Sequence, residues 1–279
     1  MAINVSVRQA IGPLDAAGRG TAALREGFLV PGLFKAGEIN LVYSHYDRMI
    51  LGGAIPSAVP LVLDAVKETG TASFLERREA VVLNIGGAGV VEVDGQRHAL
   101  DRLEALYVGM GSGSLTLSSA GDTAAQFYLV STPAHRKCPT VRIGLADARK
   151  VKAGAAGEAN ARTINQYVHP DVCESCQVLL GVTTFEPGSV WNTMPAHLHD
   201  RRMEAYLYFD MAENTRVFHL MGEADETRHL VMKDREAVLS PPWSIHAGAG
   251  TGKYSFVWAM AGDNVSFTDM DSVPMDALR

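Results

Sequence analysis

The stretch PAHLHDRRMEAYLYF, residues 195–209, decides how this 279-residue chain reads. His197 and His199 stand one residue apart, and Glu204 follows five residues after the second. From Glu204 onward, Glu204, Tyr206 and Tyr208 alternate with Ala205, Leu207 and Phe209. That is the two-residue period of a strand, in which successive side chains take opposite faces. His197 and His199 therefore point the same way, and a neighbouring strand can carry Glu204 beside them. A later segment, SPPWSIH at 240–246, supplies His246 behind a proline-rich turn. Three imidazoles and one carboxylate suit a borderline divalent cation such as Zn, Fe, Mn, Ni or Co, and are too rich in nitrogen for Ca or Mg.

A lone His-Xxx-His pair is as readily two ordinary surface histidines. The surroundings argue otherwise. Gly188 precedes the pair, apolar alternation follows Glu204, and the last histidine comes after a turn, which is the order in which a cupin barrel presents its ligands. The usual cupin pattern has glycine three residues before the last histidine, where this chain has Trp243.

Outward from this stretch, β-branched and aromatic runs bounded by Gly, Asp or Pro predict strands at 80–85, 89–94, 114–118, 126–130, 177–185, 216–221 and 254–260. Residues 64–69 read as a short helix or turn. An internal echo divides the chain: RREAVVLNI (77–85) resembles RRMEAYLYF (201–209) with one residue inserted, and ALYVGMGS (105–112) takes the place of AVLSPPWSIH (237–246). The expected organisation is all-β, a duplicated cupin of two jelly-roll barrels: an N-terminal barrel over 1–145, a linker over the small, charged and aperiodic residues 146–161, and a C-terminal barrel over 162–279. The first copy has neither a His-Xxx-His pair nor the late histidine, so metal is expected in the C-terminal barrel alone.

A formal charge of −6 and a pI near 5.8, with no Lys/Arg-rich run, argue against a nucleic-acid partner. The uncharged stretch Met49 to Leu63 is broken by glycines and prolines and is too short to span a bilayer as a helix, so no membrane partner is expected. The first residues lack an apolar signal-peptide run, and three cysteines cannot close a disulfide framework; both fit a cytoplasmic protein. Cys173 and Cys176 form a Cys-Xxx-Xxx-Cys pair, but a β-like run follows at once instead of a helix, which favours packing cysteines over a redox motif.

Beside the expected ligands, Tyr206 and Tyr208 share the face of Glu204. Arg201 and Arg202 precede that strand, where an arginine can hold a carboxylate or simply sit on a solvated turn. His45, His98, His135, His169, His219 and His229 have no partner at ligand spacing and are read as structural or surface residues.

The chain as a whole resembles the 5-keto-4-deoxyuronate isomerase family, through VYSHYDRMILGG (42–53), FLERRE (74–79), NIGGAG (84–89), RTINQY (162–167), WNTMPAHLHDRRME (191–204), ETRH (226–229) and SPPWSIHAGAGT (240–251). The resemblance implies zinc on His197, His199, Glu204 and His246, and a homohexamer. It also implies a keto-deoxyuronate substrate from pectin and uronate breakdown, 4-deoxy-L-threo-5-hexosulose uronate, whose carbonyl moves by one carbon through an enediolate to give 3-deoxy-D-glycero-2,5-hexodiulosonate. A cation that chelates vicinal carbonyl and hydroxyl oxygens serves such a proton transfer, and a redox-silent ion such as Zn²⁺ is sufficient, with Fe²⁺ or Mn²⁺ as alternatives. The base is open among a carboxylate, a tyrosine and a metal-bound water. Tyr206 is the favoured pocket hydroxyl and Arg162 the favoured carboxylate holder, with Glu186 and Asp171 as further candidates. Two rival readings use the same ligands: an Fe(II)-dependent cupin dioxygenase, and a uronate-binding bicupin without turnover.

Overall fold

The computed structural model describes residues 2–279. Two compact units divide the chain, and each is discontinuous. The first takes the strand Ala2–Arg8 with Gly32–Ala148 and Tyr167–Leu179; the second takes Gln9–Pro31, Arg149–Gln166 and Leu180–Arg279. The fold is almost entirely β, as expected. Residues 146–161, expected as an irregular linker, contain the strand Arg149–Ala153, which pairs antiparallel with Arg162–Val168. Residues 9–31, expected in the N-terminal half, fold instead with the second unit.

The same plan occurs twice. One seven-stranded sheet runs in the order Ala2–Arg8, Glu38–Ser44, Ile50–Ala54, Phe127–Pro133, Arg78–Asn84, Ala105–Val108, Val141–Ile143. The other runs Arg149–Ala153, Arg162–Val168, Leu179–Phe185, Ser255–Gly262, Arg202–Phe209, Glu236–Ser240, Leu29–Val30. Each is accompanied by a four-stranded sheet. The echoed sequences 77–85 and 201–209 hold the fifth position of their sheets, and 105–112 and 237–246 supply the sixth.

The single inserted residue has a large effect, because a one-residue offset turns every side chain of a strand to the other face. In the first sheet the inward positions are Ala80 and Val82, which pack into an apolar core with Leu106, Val108, Phe127 and Leu129. Glu79 therefore faces away from that core. It is fully buried nonetheless, and its carboxylate accepts from Tyr107 Oη at 2.6 Å, Thr132 Oγ1 at 3.0 Å and the backbone N–H groups of Cys176, Gln177 and Val178 at 2.7–2.9 Å. Five donors leave an amide no acceptor for its own N–H₂. Glu79→Gln is accordingly expected to lower the stability of the protein by about 3 kcal/mol, measured by urea denaturation at neutral pH.

Two helices lie outside the expected elements, Pro13–Ala17 and Thr21–Phe28. Pro13 at the first turn, and Leu24 and Phe28 four residues apart and both buried, are the signals that identify them. Trp243, which stands in place of the usual glycine, fastens this N-terminal segment: its Nε1–H donates to the Ile11 carbonyl at 3.1 Å, and its ring meets Phe28 edge-on at 6.2 Å. Residues 67–69, inside the expected helix or turn, form one short 3-10 turn. No helix among the described residues is long and apolar enough to cross a membrane.

Candidate metal centre

His197 lies on the two-residue strand His197–Leu198, and His199 just beyond it. Extended backbone still sends both rings to one side, with centroids 4.8 Å apart. Glu204 projects from Arg202–Phe209, and His246 stands immediately before Ala247–Gly250. The Glu204 Oε2 lies 3.0 Å from His199 Nε2 and 2.8 Å from His246 Nε2, and His246 Nε2 is 3.1 Å from His197 Nε2. Bonds of about 2.1 Å to one ion place neighbouring donor atoms roughly 3–3.5 Å apart; these three distances are close to that, and all four ligand atoms lie within 4.8 Å of one another, a group that could hold one ion. Among the described residues this is the one group of three or more His, Cys, Asp or Glu side chains whose ligand atoms converge.

The protonation states suit a cation as well. Burial alone would raise the Glu204 carboxyl, but His246 and His199 beside it hold it below the usual carboxylate range. Burial, then the neighbouring His246 and His199, pushes His197 down to about 3. A neutral imidazole and an ionised carboxylate are the forms that bind metal. The outer nitrogens have partners too: His199 Nδ1 lies 2.8 Å from the Asp269 carbonyl and 3.2 Å from Arg202 Nη2, and because Arg202 Nη2 gives its hydrogen to that same carbonyl at 2.6 Å, the shorter contact assigns the proton to Nδ1 and leaves Nε2 for the ion. His246 Nδ1 faces Ser240 Oγ at 3.3 Å.

A cavity of about 290 Å³ opens beside the group. Its wall is set by sheet register, in which Glu204 pairs with Met260, Tyr206 with Trp258 and Tyr208 with Phe256. Glu204, Tyr206, Phe256, Trp258 and Met260 all line the cavity, and Arg162 and Ile164 join from the strand Arg162–Val168, two places beyond Ser255–Gly262 in the same sheet.

A family model described as KduI/IolB matches residues 28–274. The chain belongs to the KduI/IolB family. A Rhizobium meliloti (strain 1021) protein named 4-deoxy-L-threo-5-hexosulose-uronate ketol-isomerase 1 is 65% identical over 280 residues, covering 100% of both chains. A Cereibacter sphaeroides (strain ATCC 17029) protein named 4-deoxy-L-threo-5-hexosulose-uronate ketol-isomerase is 57% identical, with 99% of each chain covered. Among solved structures, an IolB-like protein of Salmonella typhimurium LT2 superposes with a TM-score of 0.66 at 15% identity, over 81% of this chain and 87% of that one. A Bacillus subtilis oxalate decarboxylase with Mn(II) centres superposes at 0.54 and 9% identity, over 81% and 71%. At such identities the likeness is one of fold.

In this member of the KduI/IolB family, Tyr206 is 2% exposed and its hydroxyl lies 3.0 Å from Thr193 Oγ1. Burial first, then Glu204, raises its pKa well above the ordinary value, so the phenol is neutral at pH 7 and acts as a hydrogen-bond donor. Arg162 is the one Lys or Arg among the lining residues, and its Nη1 donates to the Asn160 carbonyl at 2.8 Å. Four other candidates lie away from the cavity. Glu186 and Asp171 are exposed and do not line the cavity, and Asp171 stands 3.6 Å from His169. Arg201 and Arg202 do not line it either; the first pairs with Asp269 and Asp271, and the second is fully buried against backbone carbonyls.

Thr193 carries no local signal of its role; its φ of 51° turns the chain just before Met194. Tyr208 lies deeper than the cavity, its hydroxyl 2.8 Å from His219 Nδ1. Burial, then His246, pushes His219 from 6.5 to about 3. Its folded value is below its unfolded one, so the unfolded chain takes up a proton first as pH falls; the associated stability is complete above pH 6.5 and is lost as pH drops toward about 3. Metal-free protein is therefore expected to unfold at lower urea concentration at pH 5 than at pH 7, with a shallower pH dependence in His219→Gln.

Proposed function

We propose that this chain is a metal-dependent ketol-isomerase acting on 4-deoxy-L-threo-5-hexosulose uronate, in uronate and pectin breakdown. The observation that carries the reading is the convergence of His197, His199, Glu204 and His246 at the end of a cavity that also holds Arg162 and Tyr206. Full-length relatives at 57–65% identity that bear this activity's name support it. The Mn(II) centres of the Bacillus subtilis oxalate decarboxylase, which shares the fold, are consistent with a divalent ion in a barrel of this kind.

The four side chains are its metal ligands, one ion per chain, in the second of two cupin barrels; Zn²⁺ is the ion proposed. Held by His197, His199, Glu204 and His246, a divalent cation would supply Lewis acidity to a substrate carbonyl oxygen and so make the neighbouring carbon-bound proton more acidic. The residues of the chain do the rest. Arg162 takes the terminal carboxylate in its planar fork and so fixes which end of the open-chain sugar faces the ligand group. Tyr206, held by Thr193, donates to a substrate oxygen that gains charge as the proton leaves carbon. Phe256, Trp258 and Met260, on the same wall as Tyr206, make that side of the cavity apolar and keep bulk water from the substrate. The active form is a cytoplasmic homohexamer.

The test combines metal analysis of purified protein with conversion of the substrate in D₂O under argon. One transition-metal ion per chain and ketol product formed without oxygen, with deuterium at the carbon that accepts the proton to the extent that the base exchanges, are expected. A strict requirement for O₂ makes the chain a dioxygenase instead, and binding without turnover makes it a uronate-binding protein. In the same assay Arg162→Met is expected to raise KM roughly 10- to 100-fold, the value of about 1.5–3 kcal/mol for a charge-assisted hydrogen bond, with a much smaller change in kcat. An unchanged KM removes Arg162 from the carboxylate site.

A further inference from the structure

Residues 263–273, which follow the last long strand, cross the ligand group. Phe267 and Met270 line the cavity, Asp271–Ser272 pairs antiparallel with His197–Leu198, and the Val273 N–H donates to the Ala196 carbonyl at 3.0 Å. The Asp269 carbonyl receives the Nδ1–H of His199 at 2.8 Å and an Arg202 Nη2–H at 2.6 Å. One side chain fastens this strap from outside. Arg201 Nε donates to Asp269 Oδ1 at 2.7 Å, and its Nη2 reaches Asp269 Oδ1 at 2.6 Å and Asp271 Oδ2 at 2.9 Å. Asn264 Nδ2 holds the other oxygen of Asp269 at 2.7 Å.

We infer that Arg201 is a positioning residue for the metal centre: by clasping Asp269 and Asp271 it sets the Asp269 carbonyl against His199, and so orients that imidazole, while holding Phe267 and Met270 over the cavity. The inference rests on the four-residue group being a metal site. The carbonyl that accepts from Nδ1–H fixes both the tautomer and the ring angle of His199, and partners of this kind are worth about 10- to 100-fold in metal affinity. Backbone cannot be chosen by mutation, but its placement here depends on a side chain that can. A guanidinium spans two carboxylates in one plane, which an ammonium cannot do in the same geometry. The Arg201 side chain is 40% exposed, so its ion pairs add little to global stability, and replacing it leaves the core intact. Its contribution is the position of the strap.

The experiment titrates Co²⁺ into metal-depleted full-length protein, read by the visible d–d bands, for wild type, Arg201→Met, Arg201→Lys and Asp269→Asn. Amide hydrogen exchange over 269–273 is followed in the metal-free proteins. Arg201→Met and Asp269→Asn are expected to bind Co²⁺ roughly tenfold more weakly, at the low end of what such partners contribute. Their band positions should shift, exchange over 269–273 should quicken, and Tm should barely move; Arg201→Lys should recover part of the loss. Wild-type affinity and spectrum in Arg201→Met overturn the inference, and so does weaker binding that merely tracks a large fall in Tm with an unshifted spectrum. A wild type that takes up no Co²⁺ overturns the metal reading itself, a result distinguishable from the other two.

Discussion

His197→Ala combined with His199→Ala is expected to abolish binding of the single ion and to lower ketol-isomerisation by on the order of 10³- to 10⁴-fold. A bound cation supplies several kcal/mol of charge stabilisation, and each ~1.4 kcal/mol is tenfold in rate. Two of the four converging ligands go at once, and the remaining pair, Glu204 and His246, cannot complete a site alone. The fold should survive, because His197 and His199 lie on a strand of two residues and just past it, in a two-stranded sheet separate from the long strands, and both border the cavity. Metal content by mass spectrometry, steady-state assay and circular dichroism together check this. Retained metal in a folded double variant would place the ion elsewhere.

Glu204→Gln is the second large effect. The substitution keeps the shape of a side chain that is 4% exposed in the middle of Arg202–Phe209, so the strand and its register with Ser255–Gly262 should persist. The neutral amide is a poorer ligand and no longer balances the ion's charge among three imidazoles. Metal affinity is expected to fall about 10- to 100-fold, with activity lost in proportion or more, measured by chelator competition and by assay at saturating metal. A fully active variant with full metal content would mean that Glu204 is no ligand, and the inward direction assigned to alternate residues of this strand would fail with it.

Much of the site is legible in 195–209 and 240–246 because it depends on the two shortest-range properties of a chain, residue type and the period of a strand. His-Xxx-His needs only extended backbone to point both rings one way, and the structure supplies that with a strand of just two residues. Tyr206 on the face of Glu204 follows from the same period. The arginines are less legible. Arg201 and Arg202 are adjacent and identical in type, yet one grips carboxylates at the surface and the other is buried against the carbonyls of Ser266 and Asp269. Their partners lie more than sixty positions away along the chain, and no local pattern encodes a contact at that separation.

The all-β class, the internal echo and a set of side chains whose chemistry points to a borderline divalent cation can be read from the order of residues alone, because composition and periodicity are local. Glu204 turns inward to the imidazoles as its strand period suggests, but packing sets the face of Glu79, which is one position out of step in the echoed strand and turns outward to Tyr107 and Thr132, leaving Ala80 in an apolar core. The tertiary structure alone also decided that residues 9–31 fold with the second unit, where Trp243 holds them, and that residues 263–273 close over the ligand group. Each of these is a choice between packings that the local sequence permits about equally, settled by which side chains can be buried together with their polar groups satisfied.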